Sequence, residues 1–165
     1  MNKKVVIIVA AVVLAVALVI TGTVLILESS FGGSASGDPT ITVGTVSGSK
    51  GDTVKVPVEI SSNPGIMAFL LEFNYDKEAL EYTGYKEGDF LTGYDVNATE
   101  GTVKFLNLED NDVAKNGVLI YLEFKILDGA AAKNDIKLVI GENSICNYNE
   151  EVIEVTAKDG SVKVK

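Results

Sequence analysis

The stretch GIMAFLLEFNYD, residues 65–76, contains both a regular and an irregular pattern. Its second half, from Leu71 to Asp76, alternates apolar and polar residues. Such alternation predicts a β-strand with one buried face, because successive side chains of a strand point to opposite sides of the sheet. The first half, from Ile66 to Leu71, is apolar without interruption. We therefore expect a strand whose outer face is also covered, at least at one end.

Short β-type segments separated by turn residues continue from Thr40 to the C-terminus. Sequences such as Asn63-Pro64-Gly65 and Asp159-Gly160 supply the turns. The predicted strands are 41–46, 53–60, 66–75, 80–88, 102–109, 118–127, 136–140, 151–156 and 161–165. Nine short strands without an amphipathic helix predict an all-β fold, a nine-stranded antiparallel jelly-roll β-sandwich over residues 40–165.

The N-terminal residues 1–27 differ from this body. Val5 to Leu27 contains no charged residue, and as a helix it would span about 34 Å, enough for a hydrocarbon core of about 30 Å. We predict one N-terminal transmembrane helix acting as a signal-anchor, with a cleaved signal peptide and secretion as the alternative. Lys3 and Lys4 favour an extracellular, cell-surface body. Residues 28–39 are rich in Gly and Ser and are predicted to form a linker.

The charge and the rare residue types argue against several functions. The chain has 14 lysines, no arginine and 23 acidic residues, which gives a net charge of −9. An acidic chain without arginine is a poor nucleic-acid binder. The sequence has no histidine and one cysteine, Cys146, so it lacks the residues of imidazole-based catalysis and of multi-cysteine metal sites. We predict no catalytic residue, metal site or cofactor, and a two-carboxylate glycosidase is the remaining enzymatic alternative.

Three predicted strands leave apolar residues on the outer face. If 66–75, 102–109 and 118–127 share one sheet, these residues merge into an exposed patch of the kind that marks interaction sites. The apolar members are Ala68, Leu70, Leu106, Leu108, Leu119 and Tyr121. The polar rim would consist of Glu72, Asn74, Lys104, Glu109 and Glu123. A covering loop, a strand buried on both faces, or scattered surface leucines are the alternatives.

The order of the segments resembles the cohesin modules of cellulosome-type scaffolds. The resemblance covers essentially all of residues 40–165. It rests on ITVGTVSGSKGDTVKVPVEISSNPGI, EFNYDKEALEYTGYKEGDFL, GTVKFLNLED, KNGVLIYLEFKIL and NYNEEVIEVTAKDGSVKVK. GTVKFLNLED looks like the sixth strand of the family and KNGVLIYLEFKIL like the eighth. The resemblance implies a nine-stranded jelly roll that is not an enzyme.

The same resemblance implies a partner and a binding face. Cohesins bind dockerins, small calcium-loaded modules of polysaccharide-degrading enzymes, through the sheet of their third, fifth, sixth and eighth strands. Calcium is thus expected on the partner only. Ala68 and Leu70 match positions where type I cohesins often carry polar contact residues, Leu106 an apolar contact position and Glu109 an acidic one. The apolar residues Ala68 and Leu70 depart from this type I pattern, which implies a cohesin whose contacts with its dockerin are more hydrophobic.

We therefore predict a membrane-anchored cohesin-like module with a monomeric body, which binds dockerin-bearing enzymes or scaffold proteins in cellulosome-type assembly and polysaccharide catabolism. One alternative is a carbohydrate-binding β-sandwich that contacts polysaccharide directly, and another is a self-associating envelope module. Tyr82, Tyr85 and Tyr94 could stack on sugar rings, although packing in the core or in loops is favoured. Residues 109–112 are interpreted as a solvated strand-end turn rather than a cation site, and Cys146 as a small, partly buried apolar residue.

Overall fold

The computed structural model describes residues 37–165. The predicted membrane segment, residues 1–27, and residues 28–36 of the predicted linker lie outside the described residues. Residues 37–165 form strands, turns and irregular segments only, so this part of the chain has no helix that could cross a membrane.

The body is an all-β sandwich of two sheets. The strands are β1 (Thr40–Val43), β2 (Thr45–Gly48), β3 (Thr53–Ser61), β4 (Ile66–Tyr75), β5 (Leu80–Glu87), β6 (Asp95–Thr99), β7 (Thr102–Val113), β8 (Gly117–Ile126), β9 (Lys133–Val139), β10 (Ile145–Cys146), β11 (Thr156–Lys158) and β12 (Gly160–Val164). The five-stranded sheet has the order β11-β1-β3-β8-β5. The seven-stranded sheet has the order β2-β12-β9-β4-β7-β6, with β10 paired to β4. The predicted all-β sandwich is confirmed.

The strand count and the pairing differ from the prediction. Residues 37–165 contain twelve strands rather than nine, and the pairs β1–β11 and β2–β12 are parallel. The predicted strand 41–46 is broken at Gly44, whose N–H donates to the Pro57 carbonyl at 2.7 Å. A Cβ on Gly44 would lie 2.7 Å from Pro57 Cγ, so the close approach requires glycine. This break lets the chain cross from the five-stranded sheet to the seven-stranded sheet.

Other differences lie in short segments. β6 was not predicted, because DVNAT has only one large apolar side chain and no clear alternation. The predicted strand 151–156 is mostly irregular, and only its last residue belongs to a strand, β11. β10 was not predicted, because a two-residue strand is too short for a periodic signal.

The core lies between the two sheets and follows the alternation of their strands. In β3 the valines at 54, 56 and 58 point inward, and in β4 Phe69, Leu71 and Phe73 are buried. Phe73 packs edge-to-face against Phe105 of β7, with ring centroids 5.9 Å apart. This arrangement fixes which side of β4 and β7 faces outward, because one register determines every side chain of a strand.

Two buried asparagines attach loops to the seven-stranded sheet. Asn63 donates from Nδ2 to the carbonyl oxygens of Val113 at 2.9 Å and Lys115 at 2.8 Å. Asn107, on the inner side of β7, donates to the Thr92 carbonyl at 2.8 Å. Such bonds give the side-chain NH₂ groups of the two buried asparagines their acceptors. They connect the loop before β4 to the end of β7, and the loop before β6 to the middle of β7.

Candidate partner-binding face

The outer face of β4 and β7 carries a contiguous apolar surface. Ala68 lies opposite Leu108, and Leu70 lies opposite Leu106 in the antiparallel ladder. Leu70 is 41% exposed and Leu108 is 37% exposed, whereas Ala68 and Leu106 are half-buried. These four residues, which we call the central patch, form two directly opposed pairs on one face of the sheet, and opposed residues of an antiparallel ladder are neighbours on that face. The sequence predicted all four as outward-facing, and the structure confirms their placement.

A polar network borders the central patch along the same two strands. Lys104 Nζ lies 2.7 Å from Glu72 Oε2 in a directly opposed pair. Asn74 donates from Nδ2 to Glu72 Oε1 at 3.1 Å, and Thr102 donates from Oγ1 to Asn74 Oδ1 at 2.7 Å. The hydrogen bond from Lys104, followed by that from Asn74, lowers the pKa of Glu72. Glu72, Asn74 and Lys104 thus lie beside the patch, as predicted, and hold one another in fixed orientations.

The other border is acidic. Asp95 of β6 is exposed and lies opposite Leu106. Glu109 is half-buried and begins the segment of β7 that is not paired with β4. Ala68 pairs with Leu108 and Ile66 pairs with Val113, so residues 109–112 of β7 lie opposite the single residue Met67 of β4. Residues 109–112 are therefore a bulged part of β7 and not the strand-end turn that the sequence predicted.

Three predicted face residues lie elsewhere. Leu119, Tyr121 and Glu123 belong to β8, which is part of the five-stranded sheet, so the prediction that all three irregular strands share one sheet is wrong. Tyr121 and Glu123 are half-buried there, and Glu123 lies 3.9 Å from Lys55.

Leu119 is fully buried because β8 contains a bulge. Val58 pairs with Ile120 and Glu59 pairs with Val118, so Leu119 is an extra residue on β8. The extra residue breaks the alternation on which the prediction relied. Leu119 is part of the hydrophobic core rather than of an outer surface.

A count of the observed strands shows where the sheet assignment went wrong. With β1 and β2 counted as one interrupted strand, and the short β10 and β11 left out, the third, fifth, sixth and eighth strands are β4, β6, β7 and β9. These four are consecutive in the seven-stranded sheet. KNGVLIYLEFKIL, matched above to the eighth strand, is the seventh in this count.

Sequence reasoning missed three exposed apolar residues on this side of the molecule. Val139 of β9 lies opposite Glu72 and is 44% exposed. Tyr148 and Val152 follow β10 and are 60% and 46% exposed. No signal in the sequence identified Tyr148 and Val152, because β10 has two residues and the segment after it has no regular period. Val139 lies in the predicted strand 136–140, where the apolar run 138–140 could have marked it.

The other candidate groups lie in the core. Tyr82, Tyr85 and Tyr94 pack against the core cluster, and Tyr94 donates from Oη to the Leu119 carbonyl at 2.6 Å. Burial raises the pKa of Tyr82 to about 12.

Cys146 is a buried free thiol whose pKa is raised by burial, as expected for a small apolar residue. Within residues 37–165, no three Cys, Asp or Glu side chains are grouped so that they could hold a metal ion.

A two-sheet β-sandwich with an apolar, polar-bordered outer face defines a protein-docking module. Residues 39–164 match the model of the family described as Cohesin domain, and the chain belongs to the cohesin family. Cohesin domains are non-catalytic docking modules, so the family agrees with the prediction that this chain is not an enzyme.

Similar proteins support the assignment. Cellulose-binding protein A of Clostridium cellulovorans is 31% identical to this chain, and the match covers 76% of the chain but only 8% of that protein. The cohesin CaCohA2 of Clostridium acetobutylicum, solved with the dockerin CaDoc0917, has 26% identity and a TM-score of 0.70 over 77% of this chain and 99% of its own. The OlpA cohesin of Clostridium thermocellum, solved with Doc918, shows the same fold at 19% identity, with a TM-score of 0.71 over 78% of this chain and 100% of its own.

Proposed function

We propose that this chain binds the dockerin modules of polysaccharide-degrading enzymes or scaffold proteins, in an assembly of the cellulosome type. The observation that carries the proposal is the central patch, which is contiguous, exposed and bordered by fixed polar groups. Family membership supports it, and so do the solved relatives that contain a dockerin.

The central patch would supply most of the binding energy. Leu70 and Leu108 expose large apolar side chains that a partner can remove from water, and a fully buried leucine contributes about 1.5–3 kcal/mol. Interface energy is typically concentrated in a few central residues surrounded by polar ones that exclude water. The Glu72–Lys104 pair would add specificity, and ordering its side chains on binding would cost little entropy, because they are already oriented in the free protein.

The acidic border would select the partner by charge. Asp95 flanks Leu106 from β6, and Glu109 and Asp110 follow Leu108 on β7, away from the Glu72–Lys104 pair. They form no ion pair within residues 37–165. A dockerin with lysine or arginine beside its apolar contact residues would therefore associate faster and be favoured over an acidic one. Calcium belongs to the dockerin in this proposal.

The location of the module is part of the proposal. We infer that residues 1–27 anchor the chain in the membrane and that the body is extracellular, because the uncharged run from Val5 to Leu27 has the length of a membrane span. Residues 28–39 would keep the body within about 20 Å of the membrane surface. Membrane fractionation and protease accessibility on intact cells test this location, and recovery of a shortened, soluble chain would contradict it.

A binding screen tests the function. The full chain is immobilised and exposed to every dockerin module encoded in the same genome, with calcium present. Capture of at least one dockerin is expected, and Leu106→Glu should abolish it. Thr53→Glu, an exposed change on the five-stranded sheet, is the matched control and should leave capture unchanged. Binding to no dockerin would contradict the proposal, and retention on insoluble glycan without a dockerin would favour direct carbohydrate binding.

A further inference from the structure

The edge strand β6 carries a sequence motif that the docking function does not use. Asn97-Ala98-Thr99 is the only Asn-X-Ser/Thr triplet in the sequence. This triplet is the acceptor sequence of N-linked glycosylation, in which a sugar chain is attached to the side-chain amide of the asparagine. A triplet that is buried or firmly held in a sheet is not accessible to a glycosylating enzyme, so its place in the fold decides whether the motif is meaningful.

The pairing of β6 with β7 turns both motif side chains toward solvent. Asn97 lies opposite Lys104, and Thr99 lies opposite Thr102. Lys104 belongs to the outer face, where it meets Glu72, and opposed residues of an antiparallel ladder share one face. The side chains of Asn97 and Thr99 are therefore on the outer face, and both residues are exposed. Neither side chain forms a hydrogen bond within residues 37–165.

The strand that carries the motif is held more weakly than its neighbours. β6 is the last strand of the seven-stranded sheet, so β7 is its only partner in the sheet. Four of its five residues are exposed, and Val96 is the only one whose side chain packs against the core. Separating β6 from β7 would expose little apolar surface, and its outer edge is already open to another molecule. An enzyme can therefore reach the motif in the folded protein.

We propose that Asn97 is an N-glycosylation site, whose sugar donor is a lipid-linked oligosaccharide and whose enzyme is a membrane-bound oligosaccharyltransferase. The Nδ2 atom of Asn97 would form a bond to the anomeric carbon of the first sugar. The bond from that carbon to the lipid phosphate breaks, the phosphate leaves with the bonding electrons, and the amide loses one proton to a base of the transferase. The Thr99 hydroxyl would position the acceptor. This inference rests on the extracellular location proposed above.

A shallow depression connects the motif with the central patch. It has a volume of about 590 Å³, and its wall includes Leu70 and Leu106 of the central patch as well as Asn97 and Thr99. The first sugars attached to Asn97 would thus lie beside the central patch. Because a glycan is bulky and strongly hydrated, it would occupy space that a partner needs. Glycosylation would therefore weaken docking, and this consequence also rests on the proposed function.

Mass spectrometry of the native protein tests the modification. The full chain is isolated from the membranes of its own cells and cleaved after its lysines. The peptide 87–104 contains Asn97 and ends at Lys104, with no lysine inside it. We expect this peptide to carry a glycan that fragmentation assigns to Asn97. A peptide that is entirely unmodified, or a glycan found only on a threonine, would overturn the proposal.

Three variants produced in the same cells test the role of the motif. Asn97→Gln removes the acceptor amide and Thr99→Ala removes the hydroxyl, so both should abolish the glycan. Thr99→Ser keeps the hydroxyl, is the matched control and should remain modified. Thermal unfolding verifies that each variant is folded. A glycan that persists in Thr99→Ala would show that the sugar is attached by another route.

Calorimetry with the dockerin captured in the screen tests the effect on docking. The glycosylated wild type should bind at least several-fold more weakly than Asn97→Gln, which has no glycan. Thr99→Ser, which keeps the glycan, should bind as wild type does. Equal affinities of the glycosylated wild type and Asn97→Gln would contradict the placement of the glycan beside the central patch.

The outcomes separate this inference from the earlier proposals. If protease reaches the body on intact cells and peptide 87–104 is unmodified, the location stands and the inference fails alone. If the body lies inside the cell, the proposed location fails and the inference fails with it. If wild type and Asn97→Gln bind no dockerin, the proposed function fails together with the claimed effect on docking, whereas a glycan on Asn97 still supports the site.

Discussion

At the scale of single residues, Glu72 and Lys104 show how the candidate face is ordered before it binds. Their side chains meet at 2.7 Å across β4 and β7, and Asn74 holds the second carboxylate oxygen. A partly exposed ion pair contributes little to stability by itself, because solvent screens it. Its effect is on orientation, since both side chains are fixed at the edge of the central patch.

The lowered pKa of Glu72 gives a prediction for pH dependence. The folded state binds the proton of the Glu72 carboxyl group less tightly than the unfolded chain does. The contacts of the Glu72 carboxylate therefore stabilise the fold above the ordinary glutamate pKa of about 4.3, and this stabilisation is lost as pH falls through the lowered pKa of Glu72. We expect Lys104→Met to raise the pKa of Glu72 toward that ordinary value. Carbon-13 NMR of the side-chain carboxyl group measures it, and an identical titration midpoint in both proteins would contradict the assigned cause.

Leu70 and Leu119 were both predicted to face outward, and the structure separates them. Leu119 is fully buried and Leu70 is 41% exposed. Leu119→Ala should therefore lower the free energy of unfolding by about 2–5 kcal/mol, since it leaves a cavity. Leu70→Ala should lower it by less than about 1 kcal/mol. Urea unfolding measures both, and equal losses would show that the bulge in β8 is placed incorrectly.

At the scale of elements, alternation predicted most strands but could not locate irregularities. β3 and β4 were predicted nearly to their observed ends, because apolar and polar residues alternate along β3 and along the second half of β4. The bulge at Leu119 could not be predicted, because an apolar residue fits the pattern on either face. β6 was missed because it is a short, mostly polar edge strand. The wrong sheet for β8 was a separate error, because its segment was matched to the eighth strand of the family and is the seventh in the observed count.

Asn63 connects the start of β4 to the end of β7 and supports the acidic border. Its Nδ2 group satisfies the carbonyls of Val113 and Lys115. Asn63→Ala would leave both carbonyls without this donor, so we expect a loss of about 1–3 kcal/mol in the free energy of unfolding. Amide hydrogen exchange should increase around residues 113–116. Asn97→Ala, an exposed change on β6, is the control, and equal effects from the two variants would refute this role for Asn63.

At the scale of the whole molecule, the sandwich presents two different outer faces. The β4–β7 side of the seven-stranded sheet carries the central patch and the acidic border. The β8 side of the five-stranded sheet carries Tyr121 and Glu123, which the sequence had assigned to the same surface. A partner that covers one face cannot contact the other, because the core separates them.

The affinity of one dockerin for two variants tests the central claim most directly. Calorimetry measures the affinity of the dockerin captured in the screen for two variants of the full chain. Leu70→Glu lies in the central patch, and Tyr121→Glu lies on the opposite sheet. Thermal unfolding verifies that both variants are folded. The account predicts at least about a hundredfold loss of affinity for Leu70→Glu and wild-type affinity for Tyr121→Glu. Wild-type affinity in Leu70→Glu, or a comparable loss in the folded Tyr121→Glu variant, would contradict it.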